Sequence, residues 1–325
     1  MSEKLVSLNT PTGAKPQPPR AKKPEWLKVR LPSGPVYEKV KSTLHDLKLA
    51  TVCEESRCPN IGECWGGGTA TVMVMGDTCT RGCRFCNIDT AKHPLPLDPN
   101  EPRNLATAIA KLGLKYLVVT SVDRDDVDDG GASHFAACIT ELLSRSPDTI
   151  LEVLIPDFDG REECLDLIGR ANPAVIAHNL ETVERLTPTV RDRRATYRQS
   201  LKVLEYVKKA YPHIHTKSSI MLGLGETEEE LLQAFADLRA VGVSVLTLGQ
   251  YLQPSSWHLE VKEFVSPERF ADLQKKAEAM GFLYVASGPL VRSSYKAAEL
   301  FMNGLIREER ARREKVNSFG VPLEG

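Results

Sequence analysis

The sequence predicts an α/β fold in which parallel strands alternate with helices, and three observations support this prediction. Six short apolar runs have the length and the β-branched content of buried strands. Helical patterns separate most of these runs, so the strands would pair in parallel through right-handed crossovers. Polar or glycine-rich segments follow the runs, which puts any ligand at the carboxyl ends of the strands. An open doubly wound sheet and a barrel or part-barrel both satisfy this pattern.

Each element is predicted from a local pattern. The six strands lie at residues 71–75, 116–120, 150–155, 174–178, 217–222 and 243–248, and a weaker seventh lies at 282–286. Thr227, with Glu230 three residues later, forms a capping box that predicts the start of a helix. Ser266 and Pro267 predict the start of another. Two further helical stretches are predicted between the fourth and fifth strands, at 181–186 and 197–210.

Both ends of the chain are predicted to lie outside this core. Residues 1–34 are polar and rich in proline and lysine, a composition that predicts a flexible arm. A short helix follows, because Val40, Leu44 and Leu47 share one helical face. After the last strand, a charged helix is predicted over 297–316, with opposite charges at helical spacing on a solvated face.

Composition limits the function classes. The chain has 325 residues, of which 42% are hydrophobic and 26% charged, and its length alone leaves one domain or two open. A net charge of −1 gives no electrostatic argument for a nucleic-acid or membrane partner. The N-terminal segment lacks the apolar core of a signal peptide, and the sequence has no run of about 18 apolar residues. We therefore expect a cytoplasmic protein.

The chain has eight cysteines. In a reducing cytoplasm they indicate metal ligands or reactive thiols more than a disulfide framework. Six of them fall between Cys53 and Cys86. Cys138 and Cys164 lie alone in helical patterns, which predicts that these two are buried core residues.

The first cysteine trio follows the first predicted strand, in the stretch GDTCTRGCRFCNIDT. Cys79, Cys83 and Cys86 offer three thiolates in one loop, whereas a structural zinc site is closed by four ligands. Three ligands suit a 4Fe–4S cluster whose fourth iron is free to take a small molecule. A zinc site completed by His93 or Asp89 stays open as the alternative.

With Phe85 before its last cysteine, this motif in the first loop of six βα units resembles the radical S-adenosylmethionine superfamily. The resemblance implies that the open iron binds S-adenosylmethionine and that an electron from the cluster generates a 5′-deoxyadenosyl radical. It also implies a glycine-rich segment after the fifth strand. The stretch IMLGLGETEEE is similar, with Gly223 and Gly225 expected to admit an adenine ring. The candidate polar contacts to S-adenosylmethionine are Asn179, Asp123 and Arg124.

A second cysteine trio lies upstream, in CEESRCPNIGEC. Cys53, Cys58 and Cys64 are separated by four and then five residues, and proline and glycine predict a turning loop able to wrap an inorganic cluster. Zinc stays open here too. Near the C-terminus, the stretch RSSY supplies hydroxyl oxygens and the positive charge of Arg292.

The two trios followed by RSSY resemble the lipoyl synthase family, as do ESRCPNIGECW, TSVDRDD, HNLETV and GPLVRSSY. The resemblance covers the chain from Trp26 to the final helix. It implies two 4Fe–4S clusters, one on Cys79, Cys83 and Cys86 and an auxiliary one on Cys53, Cys58, Cys64 and Ser294. A serine oxygen is a poorer ligand for a soft iron–sulfur cluster than a thiolate is. The bond between Ser294 and the cluster would therefore break most easily. Arg292 is a candidate catalytic residue beside it, which would favour an ionised serine or guide it away.

With that resemblance, the expected fold is a partial (β/α)6 TIM-like barrel over 69–286. A flexible arm at 1–34 and an extension at 35–68 with the auxiliary cysteines precede it, and a C-terminal extension at 287–325 follows. The implied reaction inserts two sulfur atoms, at C6 and C8 of an octanoyl chain on a carrier-protein lysine, and the auxiliary cluster is the sulfur donor.

The resemblance also implies partners. The octanoylated lipoyl carrier domains belong to acyltransferase subunits of 2-oxoacid dehydrogenases and to the glycine cleavage carrier protein. An electron donor such as flavodoxin or ferredoxin would reduce the first cluster, and a cluster-repair carrier would rebuild the second. Neither nucleic acid nor membrane is expected.

Two other functions stay open from the residues. One is a different radical enzyme with two clusters, which inserts sulfur into a free small molecule. The other is an iron–sulfur electron carrier or a zinc-organised binding module. A carrier needs neither a second open site nor six βα units, which counts against it.

Overall fold

The computed structural model describes residues 23–29, 33–67, 69–294 and 302–309. Its strands are β1 (Ala50–Thr51), β2 (Thr71–Val74), β3 (Thr78–Cys79), β4 (Asp89–Thr90), β5 (Tyr116–Ser121), β6 (Ile150–Leu154), β7 (Val175–Ala177), β8 (His215–Leu222), β9 (Val245–Gln250) and β10 (Tyr284–Gly288). Its helices are α1 (Pro35–Asp46), α2 (Val52–Glu55), α3 (Ile61–Gly66), α4 (Glu101–Leu112), α5 (Ala132–Arg145), α6 (Glu162–Arg170), α7 (Thr187–Val190), α8 (Tyr197–Ala210), α9 (Glu228–Ala240) and α10 (Pro267–Ala279). Residues 302–309 are also helical, and Glu25–Leu27 and Phe158–Gly160 form 3-10 turns. Within these ranges, no helix combines the length and the apolar character that crossing a membrane requires.

The main sheet has eight strands, in the order β1-β2-β5-β6-β7-β8-β9-β10. Every neighbouring pair from β2 to β10 is parallel, and β1 runs antiparallel to β2. Among the described residues, β1 and β10 each pair on one side only, so the sheet is open. Six βα units followed by a seventh parallel strand confirm the predicted partial barrel with its extensions.

Alternate side chains of the strands face the inside of this curved sheet. On β5, Leu117 and Val119 pack in the core that α4 and α5 share, while Tyr116 and Val118 meet side chains of other strands. This period of two is the geometry of a strand. The last inward-facing residue of β5, Thr120, lies in the wall of a cavity at the carboxyl end.

The 302–309 helix packs at the opposite end of the barrel. Met302 and Ile306 are buried against the first residues of β5, β6, β7 and β9. The helix therefore covers the amino ends of the strands. The charged helix predicted at 297–316 is described only over these residues, where it has a buried apolar face as well as a charged one; the rest lies outside the described residues.

Most helix ends follow their sequence signals. Thr227 and Glu230 form both bonds of the capping box at α9, and the Ser266 hydroxyl caps α10. The predicted helices near Val40 and over 197–210 are α1 and α8. Of the predicted N-terminal arm, residues 1–22 and 30–32 lie outside the described part.

The helix predicted at 181–186 is wrong. The backbone N–H of Glu181 donates to Ser219, and its carbonyl accepts from Met221, both at 2.9 Å, so this backbone bonds to β8. Glu181 also has a φ of 69°, outside the helical range. Helix α7 begins only at Thr187.

A buried ion pair lies inside the barrel. Lys217 of β8 and Glu152 of β6 are separated by 2.7 Å between Nζ and Oε1, and both side chains are 1% exposed. The Tyr116 hydroxyl donates to the same carboxylate at 2.6 Å. The charges of Lys217 and Glu152 therefore compensate each other within one small buried cluster.

We expect Lys217→Met to lower the free energy of unfolding by about 3–5 kcal/mol, because Glu152 would keep a buried charge without its partner. Urea unfolding of the iron-free chain measures this change. The double variant Lys217→Met/Glu152→Leu should recover most of the loss, since it removes both charges. A double variant as unstable as the single one would contradict the ion-pair explanation.

Candidate functional site

One cavity of about 880 Å³ opens at the carboxyl ends of the strands. Its wall includes the last residues of three strands, Ser121, Leu154 and Gln250. This volume is within the range of small-molecule sites. Residues of both cysteine trios also line the cavity, so the site combines the barrel with the segment that precedes it.

The first trio follows β2, with Cys79 at the end of β3 and Cys83 and Cys86 in the loop after it, and all three cysteines line the cavity. The backbone N–H groups of Arg81 and Asp192 lie 3.4 and 3.2 Å from the sulfurs of Cys79 and Cys83. Burial raises the pKa of Cys79 and Cys86 to about 12 and that of Cys83 to about 11. These thiols ionise at neutral pH only when a cationic centre binds them.

Arg81 fixes this loop to the strands beside it. Its side chain is 4% exposed, and its guanidinium lies 2.8 Å from Asp157, 2.7 Å from Asp125 and 3.3 Å from Asp123. These carboxylates follow β5 and β6. Burial opposes the charge of Asp157, but the hydrogen bond from Arg81 holds its pKa below the usual range. One buried guanidinium thus joins three loops.

Two other contacts hold the same loop. The Gly82 N–H donates to the Asp192 carboxylate at 3.0 Å, and His258 Nε2 lies 2.8 Å from the carbonyl oxygen of Cys86. His258 is 4% exposed and belongs to the loop after β9. No local pattern predicts these contacts, because each joins residues more than 100 positions apart.

The second trio lies on α2, on α3 and between them. Cys53 and Cys58 line the large cavity, and all three cysteines line a smaller cavity beside it. Ser294 also lines the smaller cavity, whereas Ser293 lines only the large one. Burial raises the pKa of Cys53 to about 11. The structure therefore brings together the three cysteines and the second serine of RSSY.

Arg292 lines both cavities. Its guanidinium donates to the carbonyl of Val291 at 2.6 Å, and burial lowers its pKa even though Cys58 lies nearby. The positive charge is thus held at the boundary between the second trio and the large cavity.

Neither trio has the geometry of a zinc site. Among the described residues, the only three candidate ligands whose donor atoms all lie within 4.8 Å of one another are Glu101, His134 and Cys138. A zinc ion with bonds of about 2.3 Å needs its sulfurs closer together than that. Neither His93 nor Asp89 lines the cavity. Three partly buried thiols that do not all lie within 4.8 Å of one another fit an iron–sulfur cluster better.

A polar pair, Asn179 and Glu181, lies in the wall of the same cavity. The Asn179 side chain donates to the Glu181 carboxylate at 3.0 Å, and its own oxygen is buried without a hydrogen bond. Burial raises the pKa of Glu181. Glu181 was missed because its segment was predicted to be a helix, although it lies two residues after the asparagine in HNLET.

Arg191 is a second residue that sequence reasoning missed. It is 9% exposed, lines the cavity, and has an Nε without a hydrogen bond. Its Nη1 donates to the Ser200 hydroxyl at 2.7 Å, and that hydroxyl lies 2.9 Å from His178 Nε2. Because His178 Nδ1 lies 2.9 Å from the carbonyl of Ile155, we assign its proton to Nδ1. Burial lowers the pKa of His178 to about 4, so it is neutral.

The other candidate contacts are spread out. Asp123 lines the cavity, and burial raises its pKa to about 6. Arg124 lies outside the cavity wall, where it binds Asp126 and the Met75 carbonyl. Gly223 and Gly225 also lie outside the wall. A Cβ on Gly223 would come within 2.3 Å of Gln250 and of the Glu263 carbonyl, so close packing requires this glycine.

Comparison with known proteins agrees with these motifs. A model of the radical SAM superfamily matches residues 73–238, and a model of the N-terminal domain of lipoyl synthase matches residues 10–58. The chain is 64% identical to the lipoyl synthase of Myxococcus xanthus, over 90% of this chain and 98% of that protein. It is 63% identical to the lipoyl synthase of Anaeromyxobacter dehalogenans, over 88% of this chain and 97% of that protein.

A solved structure supports the fold. That of methylornithine synthase aligns with a TM-score of 0.50 over 80% of each chain. The identity is 11%, so the likeness concerns the fold and not the substrate.

We expect the iron-free chain to lose stability as the pH falls from about 6.5 to about 4, partly because of His178. In that range the unfolded chain binds a proton at this imidazole and the folded chain does not, so unfolding becomes easier. Urea unfolding at several pH values measures the slope, and His178→Gln should make it shallower. An unchanged slope in that variant would contradict the buried neutral histidine.

Proposed function

Because the chain belongs to the lipoyl synthase family of radical S-adenosylmethionine enzymes, we propose that it inserts two sulfur atoms, at C6 and C8, into an octanoyl chain on a carrier-protein lysine. The sulfur comes from an auxiliary 4Fe–4S cluster. The observation that carries the proposal is the wall of one cavity, which includes cysteines of both trios and Ser294.

Membership of this family gives the chain a 4Fe–4S cluster and S-adenosylmethionine. We assign Cys79, Cys83 and Cys86 as the ligands of that cluster, which supplies the electron that makes the adenosyl radical when it is bound. Three thiolates leave one iron for S-adenosylmethionine. Arg81 and His258 hold the loop that carries these ligands, as their contacts with it indicate.

Asn179, Glu181 and Arg191 would bind S-adenosylmethionine. An amide oxygen and a carboxylate can accept hydrogen bonds from ribose hydroxyls. The Asn179 oxygen is available for such a bond because it has no hydrogen-bond partner. The guanidinium of Arg191, with its unpaired Nε, suits the carboxylate of the methionine part. Gly223 and Gly225 stay proposed contacts to the adenine ring, next to the cavity wall, where Gly223 packs against Gln250.

For the auxiliary cluster we assign Cys53, Cys58, Cys64 and Ser294. We prefer Ser294 to Ser293 because only Ser294 lines the smaller cavity together with all three cysteines. An alkoxide is a poorer partner for soft iron than a thiolate, so this ligand would leave first. Arg292 borders the same cavity, where its charge would favour the ionised serine.

The wall of the large cavity suits an alkyl chain. It includes the apolar side chains Val52, Met73, Ile155, Leu252, Phe264 and Val291. Abstraction of hydrogen from an unactivated carbon requires no acid or base, so these residues act by position and by excluding water.

The partners of this reaction are proposed from the same family. They are octanoylated carrier domains, with an electron donor such as flavodoxin or ferredoxin and a carrier that repairs the cluster. We also propose a cytoplasmic site of action, where thiols stay reduced. The chain would then divide into an extension at 35–68 with the auxiliary cysteines, the radical barrel at 69–286, and a C-terminal extension at 287–325 with the serine ligand.

We expect Cys53→Ala to keep the cleavage of S-adenosylmethionine and to lose sulfur insertion, because it changes only the auxiliary ligand set. Cys83→Ala should lose both. The yields of 5′-deoxyadenosine and of sulfur-containing product, measured in one anaerobic assay, separate the two effects. The reverse pattern would show that the two trios have been assigned the wrong way round.

Ser294→Ala and Ser293→Ala form a matched pair for the fourth ligand. The first should abolish the doubly thiolated product and leave 5′-deoxyadenosine formation, whereas the second should keep both. The assay is mass spectrometry of an octanoyl-lysine peptide incubated with S-adenosylmethionine and reductant. If the wild-type chain adds no sulfur to that peptide but does thiolate a free octanoyl compound, the carrier substrate is wrong.

A further inference from the structure

The segment that carries Ser294 crosses the open edge of the barrel. It follows β10 and comprises residues 289–294, which we call the serine segment. Val291 is buried against Ala286 and Tyr284, and its N–H donates to the Gly288 carbonyl at 3.1 Å. These contacts tie the segment to β10 but not to the second cysteine trio, which lies at the other edge of the sheet.

Asn60 makes the link between the two edges. Its side-chain amide donates to the Leu290 carbonyl at 2.7 Å, across 230 positions of the chain. Asn60 lies between Cys58 and Cys64, and its own carbonyl accepts from the Cys64 N–H at 2.9 Å. One residue therefore touches the serine segment with its side chain and the cysteine helix with its backbone.

The position of Asn60 makes this contact unusual. It precedes α3 at the N-cap position, where an asparagine side chain normally accepts a hydrogen bond from the helix. Here no such bond forms. Asn60 is 3% exposed, and its oxygen is buried without a partner in the smaller cavity that Ser294 also lines. The Asn60 side chain thus bonds to the distant serine segment and does not cap the N-terminus of α3.

Gly249 of β9 supplies the space that the segment needs. A Cβ at this position would lie 2.1 Å from the Val291 carbonyl oxygen and 3.3 Å from the guanidinium of Arg292. Heavy atoms cannot approach that closely, so any larger residue would push the serine segment away from the strand.

We propose that Asn60 is a positioning residue, which together with the space at Gly249 holds Ser294 at the auxiliary ligand set. The inference rests on the proposed function for the role of Ser294, but the contact itself exists without any cluster. Asn60 acts through the backbone of the serine segment and is not a ligand.

Hydrogen exchange of the full-length iron-free chain, followed by mass spectrometry, tests the contact. In Asn60→Ala, peptides that cover residues 289–294 should exchange about fivefold faster than in the wild type, as expected for the loss of one buried hydrogen bond. Peptides from β5 and β6 should be unchanged, which shows that the variant folds. Equal exchange of the serine segment in the two chains would overturn the proposal.

Asn87→Ala is the matched control for exchange. Asn87 donates to the Glu55 carbonyl, also at 2.7 Å, and makes no hydrogen bond to the described residues of the serine segment. This variant loses the same kind of bond and should leave the exchange of 289–294 unchanged. If it accelerates the segment as much as Asn60→Ala, general loosening explains the effect and the proposal fails.

Iron-loaded chains test the consequence. After anaerobic reconstitution, Asn60→Ala, Gly249→Ala and Ser294→Ala should all lose auxiliary iron to a chelator faster than the wild type, while the iron bound by the first trio is retained. An auxiliary cluster as resistant as the wild type in Asn60→Ala would overturn the positioning role. A wild-type chain that takes up only one cluster would contradict the proposed function, and hydrogen exchange would still decide whether Asn60 holds the segment.

Discussion

The burial of cysteine thiols in the two trios is the constraint on which the rest of the site depends. Burial raises the pKa of four of them to about 11 or 12, so an apolar wall opposes the thiolates that an iron–sulfur cluster requires. Only a bound cationic centre can offset that cost. Cluster binding and the local structure of these loops are consequently coupled. Each loop that carries a cysteine ligand therefore needs contacts with other segments of the chain to hold it in place.

The fold meets this requirement with contacts between distant segments. Buried Arg81 joins the first trio to the loops after β5 and β6, and His258 supports it from the loop after β9. Asn60, which lies between two cysteines of the second trio, donates a hydrogen bond to the serine segment. The opposite end of the barrel is covered by the 302–309 helix, so the cavity is reached from the ligand side.

The sequence was sufficient for the strands, the capped helices and both cysteine trios, because each is a local pattern of period, capping or spacing. It was insufficient for Glu181, where a helical composition was overridden by backbone bonds to β8. It also gave no sign of Arg191 or Asn60, since their roles depend on partners far along the chain. Gly223 was recognised as a glycine position, but its close packing against Gln250 and Glu263 was not, because both partners lie more than 20 positions away.

We propose that one cavity joins two iron–sulfur sites with different ligand sets. Diffraction from crystals of the anaerobically reconstituted chain, recorded above and below the iron absorption edge, is the decisive measurement. We expect two anomalous iron peaks, one at Cys79, Cys83 and Cys86 and the other between Ser294 and the cysteines at 53, 58 and 64. A single iron peak, or a zinc peak at either trio, would contradict it.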